Sequence, residues 1–190
     1  MHLKFLFVAL CFAVALVSYF FCKCKKDWAW LVLGLLFTLG ADYFLVLRNW
    51  HLPGVAIFCF AHMCYILRPL KGKRIYVLVP VVALIAIAFA NGWLVALSGI
   101  YAGLFMANIF INVKHGKTLP NRLLVIGGLI LFALCDVNVL LFNLPRQFNF
   151  PVTFPWAFTL IWVFYLPAQA LLAISGIRFG KLGEFAKERF

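Results

Sequence analysis

Seven apolar runs separated by short polar or basic connections constrain the fold of this chain more than any other feature. They lie near residues 5–21, 27–47, 53–68, 75–90, 92–113, 122–142 and 154–177. A membrane-spanning helix needs about 20 residues, and the third and fourth runs are shorter than that. The runs lack the period-2 alternation of membrane β-barrel strands. They predict an all-α, polytopic membrane helical bundle with about seven transmembrane helices.

The composition excludes a soluble globular domain, because 66% of the residues are hydrophobic and only 12% are charged. The first run differs from a signal peptide in that it lacks a small-residue cleavage site. It is followed at once by Lys23, Lys25 and Lys26, which form a stop-transfer pattern. We therefore expect the first helix to be retained and residues 1–190 to form a single transmembrane domain.

The connections are alternately rich and poor in lysine and arginine, with fourteen cations on one side against three on the other. Since cytoplasmic loops carry the excess, the N-terminus is predicted outside and the C-terminus in the cytoplasm. This alternation requires a turn at Asn91-Gly92, and it puts Trp50, Trp93 and Trp156 at the outer interface. The net charge of +12 lies in short loops, which favours lipid headgroups over nucleic acid. We expect a multi-pass membrane protein, of the cytoplasmic membrane if the source is bacterial.

Two of the five acidic residues, Asp42 and Asp136, lie within apolar runs. An ionisable group inside a bilayer costs several kcal/mol or more, so such a residue is by default a candidate for function. Asp42 precedes Leu47 by five residues and Asp136 precedes Phe142 by six. Both acids are therefore predicted about 8 to 9 Å inside the outer ends of parallel helices.

Further polar side chains occur on the neighbouring runs. His62 and Tyr65 are three residues apart and share a helix face, as do Tyr165 and Gln169, which are four apart. The fifth run adds Tyr101, Asn108 and Asn112. We expect these groups to converge with the acids on a polar cavity. Purely structural roles are the alternative, with the acids and His62 satisfied by interhelical hydrogen bonds and the tyrosines serving for packing.

The cysteines suggest neither a metal site nor a disulfide framework. Most lie in apolar runs, where a free thiol behaves as a small hydrophobe, and the Cys22-x-Cys24 pair has the wrong spacing for a zinc site. The six residues are Cys11, Cys22, Cys24, Cys59, Cys64 and Cys135. No metal and no cofactor is predicted.

Four motifs, taken in order and spacing, resemble the YhhN family of integral-membrane lysoplasmalogenases. The resemblance covers about residues 30–176, with Ala41 and Cys135 where the family typically has glycine and serine before the two acids. The motifs are Gly40-Ala41-Asp42, Phe58-x-x-x-His62-x-x-Tyr65, Leu131-Phe132 with Cys135-Asp136, and Tyr165-x-x-x-Gln169 with Leu172-Ala173-x-Ser175. The family is usually drawn with eight spans, whereas seven are counted here.

The resemblance implies hydrolysis of the vinyl ether bond of lysoplasmalogens to a fatty aldehyde and glycerophosphoethanolamine or glycerophosphocholine. Such chemistry suits one protonated and one ionised carboxyl group, a division of labour also used on glycosides. Asp42 and Asp136 are the expected acid–base pair, in either order, with His62 orienting an acid or carrying a proton. The expected substrate-binding residues are Tyr65, Tyr101, Asn108, Tyr165 and Gln169, and the expected partners are a lysophospholipid and membrane lipid.

A proton-coupled transporter or lipid carrier is the principal alternative, because intramembrane acids also relay protons. A polar pocket open only to the outer leaflet would favour the hydrolase, and a path to both aqueous faces would favour transport. A metal-dependent amidase would need several histidines, yet the apolar runs contain only His62. A structural scaffold would leave the two acids unexplained.

Overall fold

The computed structural model describes residues 2–22, 24–71, 78–119, 121–148 and 151–177, with the side chains of 2, 118 and 146–148 left undescribed. The described chain forms seven α-helices, as predicted. They are α1 (His2–Val17), α2 (Lys25–Asp42), α3 (His51–Leu67), α4 (Val79–Ala90), α5 (Leu94–His115), α6 (Arg122–Phe148) and α7 (Ala157–Ile174). Two short 3₁₀ segments, Ser18–Phe21 and Gly116–Thr118, follow α1 and α5, and a π-helical segment, Tyr43–Leu47, continues α2.

Five helical segments are long and apolar enough to cross a membrane, while α3 and α4 are shorter, in agreement with the sequence. The five are Leu3–Phe21, Lys25–Leu47, Leu94–His115, Arg122–Pro145 and Ala157–Ile174. The predicted membrane helical bundle is thereby confirmed. The orientation of its termini stays a prediction. The basic tail after Ile177, with Lys23, Lys73 and Arg74, lies outside the described residues.

Helix boundaries differ from the sequence prediction mainly in α6, which runs to Phe148 rather than ending near 142. Pro145 lies inside this helix, but a proline so close to a helix end interrupts only the hydrogen bond to the carbonyl of Leu141. The predicted turn at Asn91-Gly92 is confirmed. Gly92 has a φ of 67° there, a left-handed conformation that glycine adopts without steric cost.

Six helices form a closed ring in the order α1, α2, α3, α5, α6 and α7, with α7 packed back onto α1, and α4 lies outside it against α3 and α5. One apolar cluster fills the ring, and a second lies between α3, α4 and α5. Consecutive helices run in opposite directions. We call the end at which α3, α5 and α7 begin the tryptophan end, because exposed Trp50, Trp93 and Trp156 lie there.

Two glycines allow close helix contacts inside the ring. A Cβ atom on Gly34 would lie 2.5 Å from Cε1 of Tyr65, and one on Gly128 would lie 3.0 Å from Cγ of Leu172. The Gly99-x-x-x-Gly103 pattern on α5 is of a kind that often marks close helix contacts in membranes, but a Cβ at either glycine would meet nothing within 4 Å among the described residues.

Candidate active site

Asp42 ends α2 at the point where the backbone changes from α-helix to the π-helical segment. Its side chain is buried, with 4% of the residue exposed, and its Oδ2 accepts a hydrogen bond of 2.6 Å from the hydroxyl of Tyr165 on α7. π-Helical turns often occur at functional sites. The sequence contains no signal for this turn. The tyrosine was expected near the acid, but its direct bond to Asp42 was not.

Asp136 lies in the middle of α6 and has a tyrosine partner of its own. The hydroxyl of Tyr101 on α5 donates a hydrogen bond of 2.6 Å to Oδ2 of Asp136, and this pair is only partly buried. The neighbouring Leu134 and Val137 are 41% and 53% exposed on the outer surface of α6. Asp136 therefore lies near the surface of the bundle that faces lipid, whereas Asp42 lies in its interior.

The expectation of a shared depth was counted from helix ends, and the extension of α6 to Phe148 removes that reference point. Counted from the helix starts, Asp42 lies 17 residues after Lys25 and Asp136 lies 14 residues after Arg122. These intervals correspond to about 26 and 21 Å along the two helices. Asp42 thus lies near the tryptophan end of its helix, whereas Asp136 lies near the middle of α6.

His62 is completely buried on α3, and a chain of two asparagines fixes its hydrogen bonding. The side-chain amide nitrogen of Asn112 lies 2.7 Å from Oδ1 of Asn108, whose own amide nitrogen lies 3.1 Å from Nδ1 of His62. An amide nitrogen can only donate, so Nδ1 of the neutral imidazole accepts and Nε2 carries the proton. Nε2 is buried and has no hydrogen-bond partner among the described residues. His62 therefore offers an unused N–H donor.

A cluster of six rings lies between the two tyrosine–aspartate pairs and is called the ring cluster here. Phe132 contacts Tyr165 and His62 at centroid distances of 5.4 and 5.6 Å, and His62 contacts Tyr101 at 5.0 Å. The members are Phe58, His62, Tyr101, Phe105, Phe132 and Tyr165. Each acid is thus bonded to a tyrosine of one cluster.

Tyr65, which contacts the ring of His62, and Gln169, one turn after Tyr165 on α7, are both buried but differ in their hydrogen bonding. Thr38 donates to the carbonyl of Gly34, so the 3.3 Å contact between Thr38 Oγ1 and the Tyr65 hydroxyl has the tyrosine as donor. Gln169 is fully buried, and neither atom of its side-chain amide has a partner among the described residues. A buried amide in this state costs free energy unless water or a ligand satisfies it.

A buried ion pair lies at the opposite end of the bundle. It was not predicted from the sequence, because only Asp42 and Asp136 were counted as acids within apolar runs. Arg68 is 1% exposed, and its guanidinium donates to both carboxylate oxygens of Asp27 at 2.9 and 3.2 Å and to Oγ of Ser175 at 3.0 Å. This end is called the ion-pair end. A signal was present, because an antiparallel pair α2–α3 brings the start of one helix beside the end of the other.

No group of three or more histidine, cysteine, aspartate or glutamate side chains in the described part of the chain could hold a metal ion. Two surface depressions are lined by other residues, one by α1 together with Phe21 and Ile177, and one by the turn from Gly92 to Ala96. The chemistry available near the acids is therefore that of carboxyl, phenol, imidazole and amide groups.

Comparison with known proteins identifies a family. No curated protein and no solved structure matches the chain. The model of the YhhN family, by contrast, matches residues 2–176, which include all seven helices and every side chain of the site described above. The chain therefore belongs to the YhhN family.

Proposed function

We propose that this protein is a membrane hydrolase that cleaves the vinyl ether bond of lysoplasmalogens, with Asp42 and Asp136 as its acid–base pair. Membership of the YhhN family supports a lysoplasmalogenase-like activity. The observation that carries the proposal is that Asp42 and Asp136 each accept a short hydrogen bond from a tyrosine, Tyr165 or Tyr101, and that both rings belong to one cluster.

The reaction divides into three steps. A carboxylic acid protonates the vinyl carbon remote from the ether oxygen, which leaves an oxocarbenium ion. The second carboxyl group, ionised, takes a proton from water as the water oxygen bonds to the cationic carbon, and a hemiacetal results. The hemiacetal then collapses to a fatty aldehyde and a glycerol hydroxyl. Two carboxyl groups in different protonation states meet both demands.

The two acids differ in where they lie in the bundle. Burial favours the neutral form of a carboxyl group, while a donated hydrogen bond favours the charged form. Asp42 and Asp136 receive similar bonds from tyrosines but differ in burial. Unequal environments of this kind are how enzymes assign opposite roles to paired carboxyl groups.

Two other groups are suited to substrate or water. Nε2 of His62 and the side-chain amide of Gln169 are buried without partners in the described structure. The first is a donor, and the second offers a donor and an acceptor. In the proposed enzyme they hold the attacking water or the glycerol oxygens, with Tyr65, Tyr101, Asn108 and Tyr165 positioning the acids and His62.

Transport is disfavoured by the ion-pair end. Arg68, Asp27 and Ser175 tie three helices together there, and Asn121 adds hydrogen bonds to the carbonyls of Ser175 and Ile177. A carrier needs access from both faces of the membrane, and these contacts oppose opening at one of them. A one-sided site suits a hydrolase whose substrate and products are lipids.

The test is aldehyde release by the purified protein from a lysoplasmalogen in detergent. Wild type should release aldehyde, and D42N and D136N should each lower the rate by a factor of about 10² to 10⁴, the usual contribution of a general acid or base. The matched saturated ether lipid should remain intact, because only the vinyl ether can be protonated to an oxocarbenium ion.

Thermal unfolding of both variants in the same detergent separates loss of chemistry from loss of fold. The proposal fails if folded wild type is inert on lysoplasmalogens, or if both variants retain full activity. Proton-coupled movement of lipid between the leaflets of proteoliposomes, without hydrolysis, would instead support the carrier.

A further inference from the structure

Lys4 is a cation held by aromatic rings at the tryptophan end. Its Nζ lies 4.1 Å from the ring centroid of Trp162 and 5.1 Å from that of Phe158, both on α7. The ion pair found in the described structure joins Arg68 to Asp27 instead. Cation–π contacts orient an ammonium group but leave its hydrogen-bond donors unused. Lys4 is therefore fixed in direction and still able to bind an anion.

Trp162 contributes a second unused donor at the same place. Its Nε1 is buried and has no hydrogen-bond partner in the described chain, although an indole N–H in a protein interior usually finds an acceptor. An ammonium group and an indole N–H thus lie close together, and among the described residues neither donor has an acceptor. An oxyanion with several oxygens, such as a phosphate, would satisfy both.

The position of this pair links it to the acids. The rings of Trp162 and Tyr165 are in edge contact at a centroid distance of 6.0 Å, and Tyr165 donates to Asp42. Trp162 lies about one turn nearer the tryptophan end than Tyr165. A lysine near the end of a membrane helix, such as Lys4, extends its ammonium group towards the lipid headgroups. In a lysoplasmalogen, the glycerol backbone and one ester oxygen separate the phosphorus from the vinyl ether oxygen.

We propose that Lys4 and Trp162 form the binding site for the phosphate of the lysophospholipid headgroup. The inference rests on the proposed function and extends it, since it specifies which end of the substrate each element holds. With the phosphate on Lys4 and Trp162, the glycerol runs along Trp162 towards Tyr165, and the vinyl ether reaches the Tyr165–Asp42 pair. Lysine binds phosphate as a point charge, and a charged hydrogen bond contributes more than a neutral one.

Binding of a lipid that cannot be hydrolysed tests this site without relying on activity. The probes are a saturated 1-O-alkyl lysophosphocholine and the 1-O-alkylglycerol with the same chain, which lacks the phosphate. Their dissociation constants are measured by equilibrium binding to the purified full-length protein in detergent. K4Q should bind the phosphocholine lipid about tenfold more weakly, or weaker still, and the alkylglycerol as wild type does. W162F, which keeps a ring but loses the N–H, should weaken only the phosphocholine lipid, by about threefold to tenfold.

Lys114 provides the matched control, because its Nζ also lies over a ring, at 5.7 Å from the centroid of Phe110. K114Q should leave both dissociation constants unchanged, and K4R should keep most of the affinity. The proposal is overturned if K4Q binds the phosphocholine lipid normally, or if it loses affinity for both lipids equally. Displacement of the wild-type complex by inorganic phosphate at comparable concentration would assign the site to free phosphate instead.

The outcome is separable from that of the proposed function. If K4Q shows the selective loss but no lysoplasmalogen releases aldehyde, the phosphate site stands and the hydrolase proposal fails. If aldehyde is released and K4Q binds normally, the hydrolase stands and this site does not.

Discussion

Each carboxyl group of the site accepts a hydrogen bond from one tyrosine hydroxyl. Tyr165 donates to the buried Asp42, and Tyr101 donates to the partly buried Asp136. Removing a donor from a buried acceptor costs about 1 to 3 kcal/mol. Both acids lie in apolar spans, where water does not replace a lost donor, so both phenols should matter for stability.

This expectation is tested by Y165F and Y101F. Each should lower the free energy of unfolding by about 1 to 3 kcal/mol, because each leaves a carboxyl group in an apolar span without its donor. Thermal unfolding in detergent measures both. Y43F is the control, since Tyr43 is exposed and bonded to Arg48, and it should change stability by about 0.5 kcal/mol or less. Equal effects of Y165F and Y43F would contradict the assignment.

The tautomer of His62 is a second prediction at this scale. Because Asn108 donates to Nδ1, the proton of the neutral ring belongs on Nε2. Nitrogen NMR of ¹⁵N-histidine-labelled protein, with H62N used to assign the resonance, should show the Nε2-protonated form. N108L removes the donor, so a changed tautomer population is expected there, while the signals of His51 should stay as in wild type. A protonated Nδ1 in the wild type would refute the assignment.

The close packing of α2 against α3 depends on Gly34, which has no side chain. A Cβ at Gly34 would overlap the ring of Tyr65, whereas Gly103 on α5 faces open space. G34A should displace that ring and lower the free energy of unfolding by about 1 to 3 kcal/mol, the usual cost of overpacking. G103A should leave stability unchanged or raise it slightly, because alanine favours helix. Unfolding of the two variants in one detergent compares them, and equal stability would contradict the close approach.

The helices were predictable from the sequence because an apolar run inside a bilayer has few other ways to pair its backbone N–H and C=O groups. The turn at Gly92 was predictable too, since the charge alternation requires it. The π-helical segment after Asp42 was not, because the chain from Tyr43 to Leu47 has the composition of an ordinary apolar helix. The end of α6 was also missed, since Pro145 resembles a helix terminator and here lies within the last turn of the helix.

The hydrogen-bonded pairs of side chains on different helices could not be predicted from the sequence. Spacing along one helix grouped Tyr165 with Gln169, but the rotation of α7 about its axis, fixed by packing on α6 and α1, decides which of them meets Asp42. For the same reason Tyr101 was expected near the acids without being matched to Asp136. The pairing of Asp27 with Arg68 was also missed, because it depends on the antiparallel packing of α2 against α3.

The ion-pair end gives a prediction for the whole molecule. R68M alone leaves the carboxylate of Asp27 buried without its partner and should cost about 3 to 5 kcal/mol. The double variant D27N/R68M should be more stable than R68M alone, since no unpaired charge remains. R48M, at an exposed cation of the other end, should be close to wild type. Thermal unfolding checks the order, and a double variant less stable than R68M would contradict it.

The orientation of the bundle is a further prediction at this scale. Fourteen of the seventeen lysines and arginines fall on one side of the proposed topology, which predicts an outer N-terminus and a cytoplasmic C-terminus. Reporter domains active on only one side of the membrane, fused in turn to each terminus and to the turn at Gly92, should report outside for the N-terminus and Gly92 and inside for the C-terminus. The reverse pattern would place the tryptophan end on the cytoplasmic side of the membrane.

Helix α7 and its C-cap residue Ser175 provide hydrogen-bond partners for two polar groups that lie far earlier in the chain. Tyr165 donates to Asp42, which lies 123 positions earlier, and Ser175 accepts from Arg68, which lies 107 positions earlier. During biosynthesis, both earlier groups therefore wait in a half-assembled protein until the ribosome has finished α7. The interior around Asp42 and the contacts of the ion-pair end can therefore be completed only after α7 has been translated.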